Sequence, residues 1–336
     1  MAISLVERRA LSRALSKVIE ATADSSIAGL AEYPVRSARR VGFTGSPGAG
    51  KSQLISQYAK RRLEQAVQTG ILAIDPSSQI SGGSLLGDRI RMEAVAGDPR
   101  LFIRSIPSRS AVDGLCHNAS DLLATMDAFA FDEVILETVG VCQVQHAVRA
   151  LVDTLVIVLM PGSGDSVQAM KAGILECADI YVLNKADLPG AEKSRAEIMS
   201  VLLHRKPEAE EWCPKLIMTS AMDGTGLDEL VTTIDQHQAL LSATVDADSL
   251  RRRRRAYHLR SLIVRKVDEV VAATPHEVFD RPLSVCYAAI ANAIVSDEGK
   301  FKKFAKSPLP PLLPVAQVPG HDRATDIGNV AQSDGE

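Results

Sequence analysis

From Ala38 onward, short apolar runs alternate with amphipathic stretches. The apolar runs read as strands over Arg40–Thr44, Ile71–Asp75, Leu101–Arg104, Glu133–Glu137, Leu155–Met160, Ile180–Asn184 and Leu216–Thr219. Most are near-continuous Val, Ile and Leu, the pattern of strands buried on both faces. Between them, apolar positions at helical spacing predict helices that include Gln53–Gln68, Asp88–Ala96, Ser120–Ala130, Ser166–Cys177, Lys193–His204 and Gly226–Leu241. Strand and helix in alternation imply an α/β fold with a doubly wound, mainly parallel sheet. Ligands of such sheets bind beyond the carboxyl ends of the strands, so the chemistry should follow strands directly.

The flanks differ from this alternation. Leu5–Ala23 has Leu11, Leu15, Val18 and Ile19 at helical spacing and reads as a helix. It belongs to an N-terminal helical extension over residues 1–37, with Asp24–Ser37 as the connection to the alternating strand–helix domain over 38–245. Residues 246–305 read as a C-terminal helical segment. Its first helix, Leu250–Val271, opens with the run Arg251–Arg255, expected to face solvent or a partner's carboxylates. An apolar stripe of Leu259, Leu262, Ile263, Val267 and Val270 follows. With a second helix over Ser284–Ser296 it would form a helical hairpin suited to dimerisation. Residues 306–336, rich in Pro and then in Gly, Asp, Ser and Gln, read as a disordered tail.

Composition narrows the class. The 336 residues are 46% hydrophobic and 24% charged, ordinary for a soluble globular protein. A net charge of −3 provides no field to steer the chain to nucleic acid or acidic lipid, and the arginine run lacks interleaved aromatics. No apolar run approaches a membrane span, and the N-terminus is charged throughout, unlike a secretory signal. The five cysteines are scattered without a C-x-x-C pair, which points away from a disulfide framework and toward the cytoplasm.

Gly45-Ser46-Pro47-Gly48-Ala49-Gly50-Lys51-Ser52 fits the phosphate-loop pattern G-x-x-x-x-G-K-[ST], and it lies between a strand and a helix. The glycines let the backbone wrap a polyanion with its N–H groups, and the helix that follows adds the positive end of its dipole. Lys51 reaches the β- and γ-phosphates, and the Ser52 hydroxyl is offered to Mg²⁺. Gln53, in the first turn, is grouped with the nucleotide-binding residues.

Asn184-Lys185-Ala186-Asp187 follows a strand and suits guanine. The Asp187 carboxylate can accept from the ring N–H and the exocyclic amine, a donor pair that adenine lacks. Asn184 can bond the opposite edge, the Lys185 stem can cover the base plane, and Ser220-Ala221 would present a backbone N–H to the guanine carbonyl. Glu137-Thr138-Val139-Gly140 occupies the place of an Asp-x-x-Gly motif, with the Glu137 carboxylate near Mg²⁺ and the Gly140 N–H sensing the γ-phosphate. Val141 stands where small regulatory GTPases carry a water-orienting Gln, so slow intrinsic hydrolysis is expected. Asp75, at a strand end, and Asp88 can ligate Mg²⁺ directly or through water, although Asp88 is also well placed to begin a helix. Lys171, on the helix Ser166–Cys177, would by itself be a surface lysine.

These blocks, together with Asp75-Pro76-Ser77-Ser78 and Gly82-Gly83-Ser84-Leu85-Leu86-Gly87-Asp88-Arg89-Ile90-Arg91-Met92, resemble the MeaB/ArgK group of P-loop GTPases over about Leu5 to Ser296. The resemblance implies a homodimeric, Mg²⁺-dependent GTPase that binds GTP and GDP. It also implies a chaperone role toward an adenosylcobalamin-dependent acyl-CoA mutase such as methylmalonyl-CoA mutase. It assigns Mg²⁺-related roles to Asp75 and Asp88, a catalytic role to Glu137 and a switch role to Lys171. One stretch departs: the group continues E-T-V-G-V-G-Q-S-E, whereas here Cys142, Val144 and Gln145 replace glycine, serine and glutamate. Two other functions compete with this reading. One is an ATPase or kinase tied to amino-acid transport. The other is a nickel-insertion GTPase, which the dispersed histidines argue against.

Overall fold

The seven strands share one sheet because their side chains are apolar on both sides, and helices cover each face. The computed structural model describes residues 3–29, 38–75, 97–107, 115–129, 131–138, 144–162, 178–203 and 212–296. In chain order the elements are α1 (Leu5–Ile19), α2 (Ala23–Gly29), β1 (Arg39–Gly45), α3 (Lys51–Glu64), β2 (Thr69–Asp75), β3 (Leu101–Pro107), α4 (Ala119–Asp127), β4 (Glu133–Glu137), α5 (Val144–Leu151), β5 (Thr154–Leu159), β6 (Ile180–Asn184), α6 (Ala191–Leu202), β7 (Lys215–Thr219), α7 (Leu227–Thr244), α8 (Ala247–Ala273), α9 (His276–Phe279) and α10 (Leu283–Ser296). The strand order is β3-β2-β4-β1-β5-β6-β7, and every described pairing is parallel. β1 lies at the centre, where the connections reverse direction, and this is where such sheets bind ligands.

Alternation along the strands divides the core. Leu72, Val134 and Leu136 point to the layer that also holds Leu122, Val148 and, from α1, Leu11 and Leu15. Val41, Phe43, Ile71 and Ile135 point to the other layer, against Leu54, Ile55 and Tyr58 of α3 and Leu230 and Ile234 of α7. A smaller cluster packs Ile198 of α6 on Tyr181 and Leu183.

The amino ends of the strands carry buried ion pairs. Arg62 is fully buried and donates to both oxygens of Glu133, at 3.2 and 2.7 Å, while the Tyr58 hydroxyl donates to the same carboxylate at 3.0 Å. Burial, and then the Glu133 charge, raise the Tyr58 hydroxyl well above its usual range. Arg40 pairs with Asp127 at 2.5 Å, and its N–H donates to Asp153 at 2.8 Å.

Several elements differ from the sequence reading. The helices over 88–96 and 166–177 lie outside the described residues. A connection was expected after residue 23, but Ala23–Gly29 is helical: Thr22 Oγ1 accepts from the Ser25 N–H, and the Glu269 carboxylate accepts from the Ala23 N–H at 2.9 Å. α5 was not anticipated, although its positions 144, 147, 148 and 151 have helical spacing. It is held against β1 at Gly42, where a Cβ would lie 2.8 Å from Val148 Cγ1.

α8 differs most. It joins the sheet and α1–α7 in one compact unit ending at Thr274, and it does so through polar groups. Its buried positions are Arg254, His258, Leu262 and Arg265. Arg254 pairs with Asp153 at 2.5 Å, so one member of the arginine run faces neither solvent nor a partner. His258 and Arg265 meet Asp121, Arg265 donates to Ser26 Oγ at 2.7 Å, and Lys266 pairs with Asp24 at 2.7 Å. The apolar stripe read from the sequence turns outward, with Leu259 57% and Ile263 62% exposed; only Leu262 of its five members is buried. In the second unit, from Pro275, Cys286 of α10 donates to the carbonyls of Val278 and Arg281, and Leu283 and Tyr287 are exposed. Among the described residues no helix is long and apolar enough to cross a membrane.

The α8 seam generates a pH prediction. Burial, and then the Arg265 guanidinium, hold the His258 imidazole neutral down to about 4. The unfolded chain protonates this ring near pH 6.5. Stability from His258 is therefore complete above about pH 6.5 and is lost as pH falls toward 4, with a slope of at most about 1.4 kcal/mol per pH unit. Urea unfolding of wild type and His258→Gln across this range should show a shallower decline in the variant.

Candidate active site

β1 delivers the phosphate loop at the centre of the sheet. Gly45 ends the strand at φ 132°, and a Cβ there would lie 2.0 Å from the Val158 carbonyl oxygen, so only glycine lets β1 and β5 approach this closely. The Ser46 N–H then donates to the same carbonyl at 3.2 Å. Gly50 caps α3 in the left-handed region at φ 83°, with no room for a side chain beside Asn184 Nδ2. Gly48 and Gly50 turn the loop between strand and helix, and the first N–H groups of α3 are directed at its mouth. Pro47 and Ala49 complete the turn, with Ala49 buried beneath it.

Lys51 arches over this loop. Its Nζ donates to the Gly45 and Ser46 carbonyls at 3.0 and 3.1 Å. Ser52, one residue on, is buried, and its Oγ donates to Glu137 Oε1 at 2.7 Å. The register that pairs Phe43 with Glu137 brings the β4 carboxylate to the end of β1. A hydroxyl and a carboxylate held side by side suit a hard, oxygen-preferring cation such as Mg²⁺. Asp75 ends β2 opposite Pro107, on the same side of the sheet. Gly140, Asp88 and Lys171 lie outside the described residues.

The base loops follow β6 and β7. Asn184 is buried, and its side chain spans two elements: Nδ2 donates to the Ala49 carbonyl at 2.8 Å, and Oδ1 accepts from Thr219 Oγ1 at 3.0 Å. Asn184 therefore ties the phosphate loop to the base loops, a role that its position in an N-K-x-D motif does not disclose. Lys185 takes a left-handed conformation at φ 60°, rare for a residue with a side chain. Its Nζ lies 3.9 Å from Met160 Sδ, at the end of β5. Asp187 is exposed, while Ser220 and Ala221 are buried. Sequence reasoning missed Thr219 and Met160. Each ends or immediately follows a strand at the functional edge of the sheet, and that placement is the signal that would have found them.

Such a frame, with a phosphate loop, a Ser–Glu pair and an Asn-braced base loop on parallel strands, can be compared with known proteins. The family model described as methylmalonyl Co-A mutase-associated GTPase MeaB matches residues 2–276. The chain belongs to the MeaB family. This member is 36% identical over 277 residues to a GTPase-named protein of Pyrococcus horikoshii, covering 82% of this chain and 87% of that one. It is 32% identical to GTPase ArgK of Escherichia coli, covering 76% and 78%. It is 39% identical over 213 residues to the mouse methylmalonic aciduria type A homolog, covering 62% of this chain and 51% of the mouse protein. Among solved structures, one titled LAO/AO transport system kinase superposes with a TM-score of 0.60 at 25% identity, covering 89% of this chain and 93% of the other. As a MeaB-family protein with a P-loop fold, the chain is a GTP hydrolase.

Lys51 and Glu137 should separate by experiment. Lys51→Ala removes the ammonium held over the phosphate loop and should weaken GTP and GDP binding together. Glu137→Ala should leave GDP affinity within a few-fold and lower single-turnover GTP hydrolysis by about 10²-fold or more. Hydrolysis at the wild-type rate by Glu137→Ala would remove Glu137 from the mechanism.

Proposed function

We propose that this chain is a Mg²⁺-dependent GTPase that acts, as a homodimer, as a nucleotide-gated chaperone for an adenosylcobalamin-dependent acyl-CoA mutase. The observation that carries this reading is the match of a mutase-associated GTPase family across residues 2–276, on a chain with G-S-P-G-A-G-K-S at 45–52, E-T-V-G at 137–140 and N-K-A-D at 184–187. The similarity to the mouse methylmalonic aciduria type A homolog supports the same client class.

In this reading, residues 45–53 hold the phosphates, and Asn184, Lys185, Asp187, Ser220 and Ala221 hold guanine. Ser52 and Glu137 hold Mg²⁺, with Asp75 and Asp88 completing its surroundings. The bound ion neutralises phosphate charge and fixes the γ-phosphate. Lys51 stays on the β- and γ-phosphates as negative charge shifts toward the leaving oxygen. Glu137 orients what approaches the γ-phosphate, and the Gly140 N–H senses whether that phosphate is present. Val141 cannot orient water, so the free protein is slow, and the partner completes the site by ordering residues 137–145 and bringing Lys171 in.

The dimer reading assigns residues 246–305 to self-association. Leu259 and Ile263 on α8, and separately Leu283 and Tyr287 on α10, are exposed apolar side chains, and a second copy of the chain would cover them. Residues 1–37 and 38–245 serve as the helical extension and the nucleotide domain, with 306–336 as the tail. The structure titled as a transport system kinase favours a second reading, an ATPase or kinase serving amino-acid transport. Adenine offers no donor pair for Asp187, which weighs against it.

Affinity capture from the native cell, with a GTP analogue and with GDP, tests the client. A cobalamin-dependent mutase should co-purify in a nucleotide-dependent way and accelerate GTP hydrolysis by about 10³-fold or more. Lys171→Ala should abolish that acceleration. Fast hydrolysis by the free protein, or full stimulation of Lys171→Ala, would contradict the proposal.

A further inference from the structure

Two hydrogen bonds among the described residues join the phosphate and base halves of the site. The inner contact is buried, where Asn184 Nδ2 donates to the Ala49 carbonyl. The outer contact is on the surface. Gln53 Nε2, in the first turn of α3, donates to Met222 Sδ at 3.1 Å. Met222 directly follows Ser220-Ala221 and is 78% exposed, so its thioether is open to a ligand seated beside this turn.

Its presentation is rigid. The Ser220 N–H donates to the Thr225 carbonyl at 3.1 Å, and the Gly224 N–H returns to the Ser220 carbonyl at 2.9 Å. The Thr225 N–H is fixed on Asp223 Oδ1 at 2.9 Å. That bond is the main cause that holds the Asp223 carboxyl below its ordinary range. Met222 therefore sits at the tip of a braced turn rather than on a loose loop. β6 and β7 pair Asn184 with Thr219, and the Ala186 N–H donates to the Thr219 carbonyl at 2.9 Å, so this turn stands beside the Lys185–Asp187 loop. Gln53 approaches from the phosphate side, one residue past Ser52.

We propose that Met222 and Gln53 form the outer wall of the base pocket, a strap that must part for the nucleotide to leave and that sets how long it stays. The inference rests on the guanine reading of the same site. A thioether is polarizable and unbranched, so it covers an aromatic base face while accepting only a weak hydrogen bond from the amide. The strap is thus strong enough to slow departure and weak enough to open. The contribution belongs to the release rate, since contacts that close over a bound ligand act mainly there.

The test is release of N-methylanthraniloyl-GDP from the full chain, chased with excess unlabelled GDP. The adenosine counterpart, N-methylanthraniloyl-ADP, serves as the parallel probe. Met222→Ala and Gln53→Ala should each speed release of the guanosine probe by about threefold to tenfold, the range of one sulfur contact. The double variant should be no faster than the faster single variant by more than about twofold, because the two side chains act as one strap. Unchanged release in both single variants, or full multiplication of their effects in the double variant, overturns the strap while leaving the guanine reading intact. A wild-type protein that releases the adenosine probe as slowly as the guanosine probe overturns the guanine reading and the strap with it.

Discussion

The site depends on one buried amide. Asn184 donates to the Ala49 carbonyl and accepts from Thr219, so a single side chain at the end of β6 fixes the phosphate loop on one side and the β7 loop on the other. Both partners are satisfied within the protein, which makes the bridge costly to break: a buried amide without partners loses roughly 1–3 kcal/mol. The close approaches around it follow. Gly50 has no space for a Cβ beside Asn184 Nδ2, and Gly45 has none beside Val158. The glycines are required by contacts with β5 and β6 as much as by the phosphates they would cradle.

The two ends of the sheet do different work. At the carboxyl ends, the polar groups are those a nucleotide and a cation would engage: Lys51, Ser52, Glu137 and the base loops. At the amino ends, Arg62–Glu133, Arg40–Asp127 and Arg254–Asp153 pair within the chain. Buried ion pairs seldom add net stability over apolar packing, yet removing one partner is severe. Such pairs set which helix docks where. Arg254 shows this for α8, which turns Leu259 and Ile263 outward while Arg254, His258 and Arg265 are buried.

Much of the fold was legible because parallel strands are apolar on both faces, and this one-dimensional signal survives without tertiary information. All seven expected strands are present, and the phosphate loop, Glu137 and Asn184 lie at strand ends. What was not legible depended on partners distant in sequence. The α8 stripe of Leu259 and Ile263 looked like a core face, but buried carboxylates at Asp121 and Asp153 draw the polar side inward. α2 starts on a local cap, Thr22, but its anchors Glu269, Lys266 and Arg265 lie far along the chain. Asn184 was read toward the base alone, since its motif does not reveal that Ala49 and Thr219 occupy its amide. Asp88, Gly140 and Lys171 carry motif positions outside the described residues, and their roles rest on the family pattern.

Membership of the MeaB family makes the chain a GTP hydrolase, and the central claim of the mechanism is that the Asn184-braced loop selects guanine through Asp187. Calorimetric titration of wild type and Asp187→Asn with GDP, ADP and xanthosine diphosphate tests it most directly. Wild type should prefer GDP over ADP by about 10²-fold or more, because hydrogen bonds to a charged group contribute about 1.5–3 kcal/mol each and the exposed Asp187 carboxylate keeps part of that in water when unpaired. Asp187→Asn should lose GDP affinity and gain xanthosine diphosphate, whose base presents an acceptor. Equal wild-type affinity for GDP and ADP would contradict it.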